Sequence, residues 1–337
     1  MWQTTFFISR GKKLTVDLRD QITIGIPAYN EEQFIGDAIA SAVEQSRHIL
    51  IADNASTDAT GHICTEFAAR HANVRYVRHR VNGGAHMNFN FLLDNAKTEY
   101  FMWLGAHDRL SDGYVVTLVE ALATQPDAVL AFAPARHVDR NSRHRFTYDY
   151  FLYSDLVNSN NVFERLYGLI RFNDECSLVH GVFRTKELKE ACVNIPPCIG
   201  GDMVLLCRAA ALGRFVYSHG AEYTRRELRD DDTMGESLDR IKPGDFLHDN
   251  YYDEMLREQI ALVAQIQQAH RIRKRLWQQR IRYQMIRRYG FFRSGNLWGD
   301  SLNASMDFGY RAAGKLAKLF GIMPSNPLLK ARRFPSH

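Results

Sequence analysis

Two periods of hydrophobic and polar residues alternate along the chain as far as residue 133. Residues 22–26 (ITIGI) form an unbroken apolar run stopped by Pro27, the pattern of a strand buried on both faces. Apolar residues then recur at Phe34, Ile35, Ala38, Ile39, Ala42 and Val43, a helical spacing, with Asn30 placed as cap and Gln33 at the capping-box position. The same pair of patterns repeats as strand 49–52, polar loop 53–58 and a helix to about 67. It recurs as strand 74–77, turn 82–84 and a helix to about 96, and then as strand 100–104, helix 111–123 and strand 128–133. Strands alternating with helices predict an α/β fold with a mostly parallel sheet flanked by helices on both faces. In such sheets ligands sit at the carboxyl ends of the strands. The polar loops starting at Tyr29, Asp53 and Gly105 each follow a strand directly, so they are expected to meet over one crevice.

Beyond Pro134 the alternation lapses. Helical spacing returns at 162–171 and 203–212, with a strand-like run at 178–183 between them. Residues 225–244 are charged and turn-rich and read as a loop or linker. A long helix is predicted over 245–289 and a last one near 310–320. The chain thus divides into a domain over 20–240 and a basic, amphipathic helical extension over 245–337.

Composition narrows the class. With 45% apolar and 24% charged residues, the 337-residue chain has ordinary globular usage and can build a sizeable core. The five cysteines are odd in number and contain no C-x-x-C pair, which argues against a disulfide framework or zinc site and for a reduced, cytoplasmic setting. The apolar cluster at 4–8 is too short for a signal-peptide core, and no run of about 18 uncharged apolar residues suggests a membrane span. The net charge of +5 is local: residues 271–299 hold nine Lys/Arg and no acid, and subtracting them leaves −4. Aromatics such as Trp277, Tyr283 and Phe291 interleave with this charge. That mixture suits an anionic membrane surface, where each cation contributes about 1 kcal/mol, and a peripheral place at the inner face of the plasma membrane. A solvated helix packed on the larger domain is the alternative. No nucleic-acid-binding motif accompanies the charge, so no nucleic acid partner is expected.

Residues 24–31 (IGIPAYNE) and 51–60 (IADNASTDAT) are followed in order by 82–84 (NGG), 100–108 (YFMWLGAHD) and 200–202 (GGD). This ordered set resembles the family 2 glycosyltransferases over roughly residues 20–226. The resemblance implies a GT-A (Rossmann-like) fold with nucleotide-sugar and acceptor sites in the 20–240 domain. It also implies inverting transfer of a sugar from a nucleoside diphosphate-sugar, UDP- or dTDP-linked by preference, to a saccharide or lipid-linked hydroxyl in bacterial surface-polysaccharide synthesis. Carried over residue by residue, Pro27, Ala28 and Tyr29 pack on the base, and Asp53 accepts from a uracil N–H or ribose hydroxyls. Glu31, Asn82, Arg225 and Arg226 complete the donor-binding set, the arginines offsetting diphosphate charge. From the residues alone, Asp53 as a turn cap, Asn82 as a turn residue and the arginines as a solvated pair stay open.

The family's Asp-x-Asp or Asp-x-Asp-Asp motif is altered here to Gly105, Ala106, His107 and Asp108. His107 and Asp108 are the candidate ligands for Mn2+ or Mg2+ bridging the diphosphate, imidazole suiting Mn2+ better. Direct phosphate binding by His107, with Asp108 orienting its loop and no metal, is the other reading. Asp202 is the candidate general base, although Gly201 stands where the family has an acid; otherwise Asp202 is an N-terminal helix residue favoured by the dipole. His180 resembles an acceptor-side residue or is a half-buried, hydrogen-bonded histidine. The altered motifs also suggest a second function, a catalytically degenerate nucleotide-sugar-binding or scaffold subunit. A sugar-phosphate nucleotidyltransferase would need a Gly-rich loop after the first strand, which PAYN is not.

Overall fold

The computed structural model describes residues 3–8, 12–173, 176–195, 200–227 and 253–266. A hairpin of β1 (Gln3–Ile8) and β2 (Lys12–Asp17) precedes the predicted alternation. That alternation runs β3 (Ile22–Ala28), α1 (Ile35–Ala42), β4 (His48–Asp53), α2 (Thr60–Arg70), β5 (Val74–Arg78), α3 (Gly84–Asn95), β6 (Tyr100–Trp103). It continues through β7 (Arg109–Leu110), α4 (Tyr114–Ala123) and β8 (Ala128–Phe132). The remainder comprises β9 (Ala135–Val138), β10 (His144–Tyr148), α5 (Phe151–Val157), α6 (Val162–Phe172), β11 (Val182–Arg184) and α7 (Thr185–Cys192). Last come α8 (Gly201–Leu212), β12 (Arg214–Tyr217), β13 (Tyr223–Arg226) and a helix at Asp253–Gln265, here α9.

Seven strands form the central sheet in the order β12-β8-β11-β6-β3-β4-β5. All neighbours are parallel except β11, which runs antiparallel between β6 and β8. The strand period of two divides each apolar run between two cores. Ile24, Ile26, Ile49, Ile51 and Met102 face the core under α1, α2 and α4. Leu50, Ala52, Phe101 and Trp103 face the core shared with α3 and α5 to α8. Burial on both faces explains the unbroken apolar strands, and each fully buried aliphatic side chain contributes roughly 1.5–3 kcal/mol.

The reversed β11 matters for the site. Because it opposes its neighbours, its amino end lies at their carboxyl edge, which brings the 3-10 turn Ser177–His180 to that edge. The strand-like run predicted at 178–183 is therefore a turn followed by a three-residue strand. Helix α8 leads into β12, which is parallel to β8, so the first turn of α8 reaches the same edge. A second, four-stranded sheet in the order β10-β9-β13-β7 stands beside it. Arg225 and Arg226 belong to β13 in that sheet, not to the start of a linker.

Two further corrections concern helix ends. Helix α1 starts at Ile35, with Phe34 at its N-cap and no side-chain cap. Asn30 adopts a left-handed φ of 53° and gives its side-chain oxygen to Thr57 N across the cleft at 2.8 Å, so a tertiary partner outcompetes the capping role. Gly200, the N-cap of α8, has φ 76°, a backbone region that favours glycine. A Cβ there would also collide with Met255 Sδ of α9, so this glycine admits the crossing helix. The predicted extension thus docks on α8 through Met255 and an Arg208–Glu258 ion pair. Its basic stretch at 271–299 and the helix at 310–320 lie outside the described residues. Among the described residues, no helix is long and apolar enough to cross a membrane.

Candidate active site

The loops after β3 and β4 are joined by hydrogen bonds between short polar groups. Asn30 N donates to Ser56 Oγ (3.0 Å), Glu31 N to Thr60 Oγ1 (2.7 Å), and Ala59 N to Glu32 Oε2 (2.9 Å). Asp58 accepts from Glu32 N (3.1 Å) and Thr60 N (3.0 Å). Asp53, at the end of β4, is wholly buried; it accepts from Ser56 N at 2.8 Å and from the Tyr76 hydroxyl at 2.6 Å. Burial and the Asp53 carboxylate together raise the Tyr76 pKa. Both Asp53 oxygens are thus engaged by the protein, and the turn-cap reading describes its contacts. Asn82 likewise accepts from Asn54 Nδ2 (2.6 Å) and Gly84 N (2.9 Å), while Gly83 N donates to Asn54 Oδ1 (3.0 Å). Tyr29 is exposed beside buried Ala28 and partly exposed Pro27. Ala55 has φ 62°, a strained value for a residue with a Cβ, costing about 1 kcal/mol. Such strain concentrates at ligand-binding loops.

The altered acidic motif occupies the loop between β6 and β7. Asp108 is buried: its Oδ1 accepts from Arg226 N (2.8 Å) and its Oδ2 from the Tyr223 hydroxyl (2.7 Å). Burial pushes its pKa up, but His107, His180 and these two donors outweigh burial and hold the carboxyl below its usual value. Gly105 makes the fold of this loop possible, because a Cβ there would collide with Asp108 Oδ2. The half-buried His107 ring has Nδ1 3.0 Å from Glu31 Oε1 and Nε2 4.0 Å from Asp108 Oδ1. Glu31 is buried, so its donor-site assignment resolves into a contact with the altered motif.

From the other side, His180 donates from Nδ1 to the Trp103 carbonyl at 3.0 Å and stacks flat on Tyr223, centroids 4.8 Å apart. Burial lowers its pKa, opposed by Asp108; His107 and Asp202 also lie within electrostatic reach of the ring. Asp202 is exposed in the first turn of α8. His107, Asp108, His180 and Asp202 therefore share one neighbourhood at the carboxyl edge. The arginine pair separates. Arg225 is about one-third exposed and donates to Ser177 Oγ (3.1 Å). Arg226 is buried, its guanidinium 4.3 Å over Phe34 and donating to His107 O (3.2 Å), so it clamps the loop and is not half of a solvated pair.

Sequence reasoning missed Asn54, Tyr76 and Tyr223. Asn54 carried a weak signal, as a polar group just past a strand end, and Tyr76, in the middle of β5, carried none. Tyr223 carried none, since its partner Asp108 lies 115 positions away.

The residues do not form a cation cradle as arranged. Among the described residues there is no group of three or more His, Cys, Asp and Glu side chains that could hold a metal ion. The surviving acid of the motif faces inward onto two fixed donors.

A mainly parallel sheet with a reversed strand beside its centre, a small second sheet and polar loops at the carboxyl edge define the GT-A class of glycosyltransferase folds. Residues 23–178 match the profile of Glycosyl transferase family 2. The uncharacterized protein Rv1520 of Mycobacterium tuberculosis is 34% identical over 115 residues, 32% of this chain and 33% of that protein. Glycosyltransferase GlyA of Streptococcus pneumoniae is 24% identical over 173 residues, 50% of this chain and 23% of that protein. The chain thus spans about a third of the length of the first curated relatives it matches. Among solved structures, S. aureus TarS 1-349 in complex with UDP-GlcNAc superposes with a TM-score of 0.62 at 15% identity, covering 85% of this chain and 79% of that one. That likeness concerns the fold.

Proposed function

We propose that this protein transfers a sugar, with inversion, from a nucleoside diphosphate-sugar to the hydroxyl of a saccharide or lipid-linked acceptor in surface-glycan synthesis. The observation that carries the reading is the exposed Asp202 carboxylate at the edge where the loops after β3, β4 and β6 end, within electrostatic reach of His180. The zipped loops after β3 and β4 supply a rigid floor for the nucleotide, with Tyr29 exposed to stack on the base and backbone groups near Asp53 and Asn82 held in place. Such pre-set donors and acceptors need no reorganisation when the ligand arrives.

Asp202 then removes the acceptor proton as its oxygen forms a bond to the anomeric carbon. The bond from that carbon to the diphosphate oxygen breaks on the opposite face, and the nucleoside diphosphate leaves with the electron pair. Arg225, about one-third exposed and donating to Ser177 Oγ, balances the leaving charge. UDP is the first donor nucleotide to test, since TarS was solved with UDP-GlcNAc.

Turnover of radiolabelled UDP- and dTDP-sugars by the full chain tests the reading, with Asp202→Asn as comparison. The variant should bind nucleotide as the wild type does and lose about a hundredfold to ten-thousandfold in turnover. Equal turnover would remove Asp202 from the mechanism. Nucleotide-sugar binding with no transfer or hydrolysis would instead favour a binding or scaffold subunit, a reading the inward-facing Asp108 makes specific.

A further inference from the structure

A divalent cation that bridges a diphosphate to a protein needs carboxylate or imidazole lone pairs aimed into the cleft. The loop between β6 and β7 spends them elsewhere. Asp108 folds back over Gly105, with one oxygen on Arg226 N at 2.8 Å and the other on the Tyr223 hydroxyl at 2.7 Å. Turning it outward would leave two buried donors unpaired, at a cost of about 1–3 kcal/mol each. Between Asp108 and the buried Glu31 lies the His107 ring, 3.0 Å from Glu31 Oε1 and 4.0 Å from Asp108 Oδ1. With an acid at 107 instead, three carboxylates would crowd this space and require a cation among them. Here the ring fills that gap between the two carboxylates.

We propose that this protein binds the diphosphate of its donor without a divalent cation, the His107 ring occupying the place between Glu31 and Asp108 that a metal would need. The inference rests on the transferase reading above and concerns how the same site handles charge. Positive charge for the diphosphate comes from the chain itself, from Arg225 on β13 and from Arg78 at the end of β5. Both side chains are a third or more exposed; Arg78 stands 3.7 Å from Asp53 and Arg225 3.7 Å from Glu227, single carboxylates that a doubly charged diphosphate would outcompete. The Gly105 and His107 departures from the acidic motif are then one change: the first lets Asp108 turn inward, and the second fills the space left behind.

Calorimetric titration of the full chain with UDP, dTDP and GDP, in excess EDTA and again in excess Mn2+, tests this directly. The dissociation constant of whichever nucleotide binds should differ between the two conditions by less than about fivefold. Tightening by Mn2+ beyond about fivefold would overturn the inference while leaving the transferase reading intact. Failure of every nucleotide to bind in both conditions would overturn both. His107→Asp should make nucleotide binding depend on Mn2+, with tightening of more than about fivefold. Should that variant not fold, electron paramagnetic resonance of Mn2+ added to the wild type with UDP gives a second measure. A manganese signal equal to that of UDP alone supports the inference, and additional protein-dependent loss of signal overturns it.

Discussion

On the proposed nucleotide side of the cleft, residues 29–34 and 53–60 exchange at least five hydrogen bonds over sequence separations of 26 to 29. On the far side, Asp108 is held by Tyr223 and Arg226 at separations of 115 and 118, and His180 reaches Trp103 at 77. The near loops hang from adjacent parallel strands and are zipped by Ser, Thr, Asn and Asp, whose short side chains favour local backbone partners. The far groups sit on the β6–β7 loop, on the turn before β11 and on β13, and converge because one strand runs backwards and a second sheet folds alongside. The near side is thus held by many hydrogen bonds between neighbouring loops. The far side depends on a few buried, long-range contacts.

The sharpest way to break this contrast is Asp108→Ala. It removes the partner of both the Tyr223 hydroxyl and Arg226 N, and each buried donor left unpaired costs about 1–3 kcal/mol. Urea unfolding should show that loss, with UDP affinity moving far less than stability. An unchanged unfolding midpoint would mean that the far side does not depend on this carboxylate.

Acid should act through the same group. Asp108 is held below its ordinary value in the folded protein, so its stabilisation is present above the unfolded value of about 3.9 and disappears as pH falls through the lower folded value. The urea midpoint of the wild type should therefore fall more steeply between about pH 5 and pH 2 than that of Asp108→Ala. Parallel profiles would assign the acid sensitivity to other carboxylates.

A smaller effect probes the nucleotide side. Tyr76→Phe removes one of the two donors on Asp53, and a hydrogen bond to a charged group contributes about 1.5–3 kcal/mol. Stability should drop by this amount and UDP binding should weaken with it, the two moving together if the loop is the binding floor proposed above. Loss of stability with unaltered UDP affinity would separate Asp53 from the donor. Smallest of all, Ala55→Gly relieves a left-handed φ and should change stability by no more than about 1 kcal/mol, in the stabilising direction. A destabilised variant would show that the methyl group has a packing role that outweighs the strain.

How much was legible follows the same division. Strands β3, β4, β6 and β8 were readable because runs such as ITIGI are buried on both faces and bounded by Pro or polar loops. The convergence of the loops at Tyr29, Asp53 and Gly105 followed from strand direction alone. Asn30 misled as a helix cap because its side chain has a better partner in the neighbouring loop, which no local pattern records. Arg225 and Arg226 read as one pair, either offsetting diphosphate charge or solvated; alternation along β13 sends one to Ser177 and buries the other over Phe34.

By itself the sequence determined the alternating α/β order, the carboxyl-edge crevice and the identity of the acids around it, since these depend on local period and composition. Only the tertiary structure decided which of those acids face the cleft. Asp53 and Asp108 turn inward onto Tyr76 and Tyr223, and Asp202 stays exposed. Orientation of a carboxylate is set by the donors that reach it. Here the tyrosine donors come from positions 23 and 115 residues further along the chain.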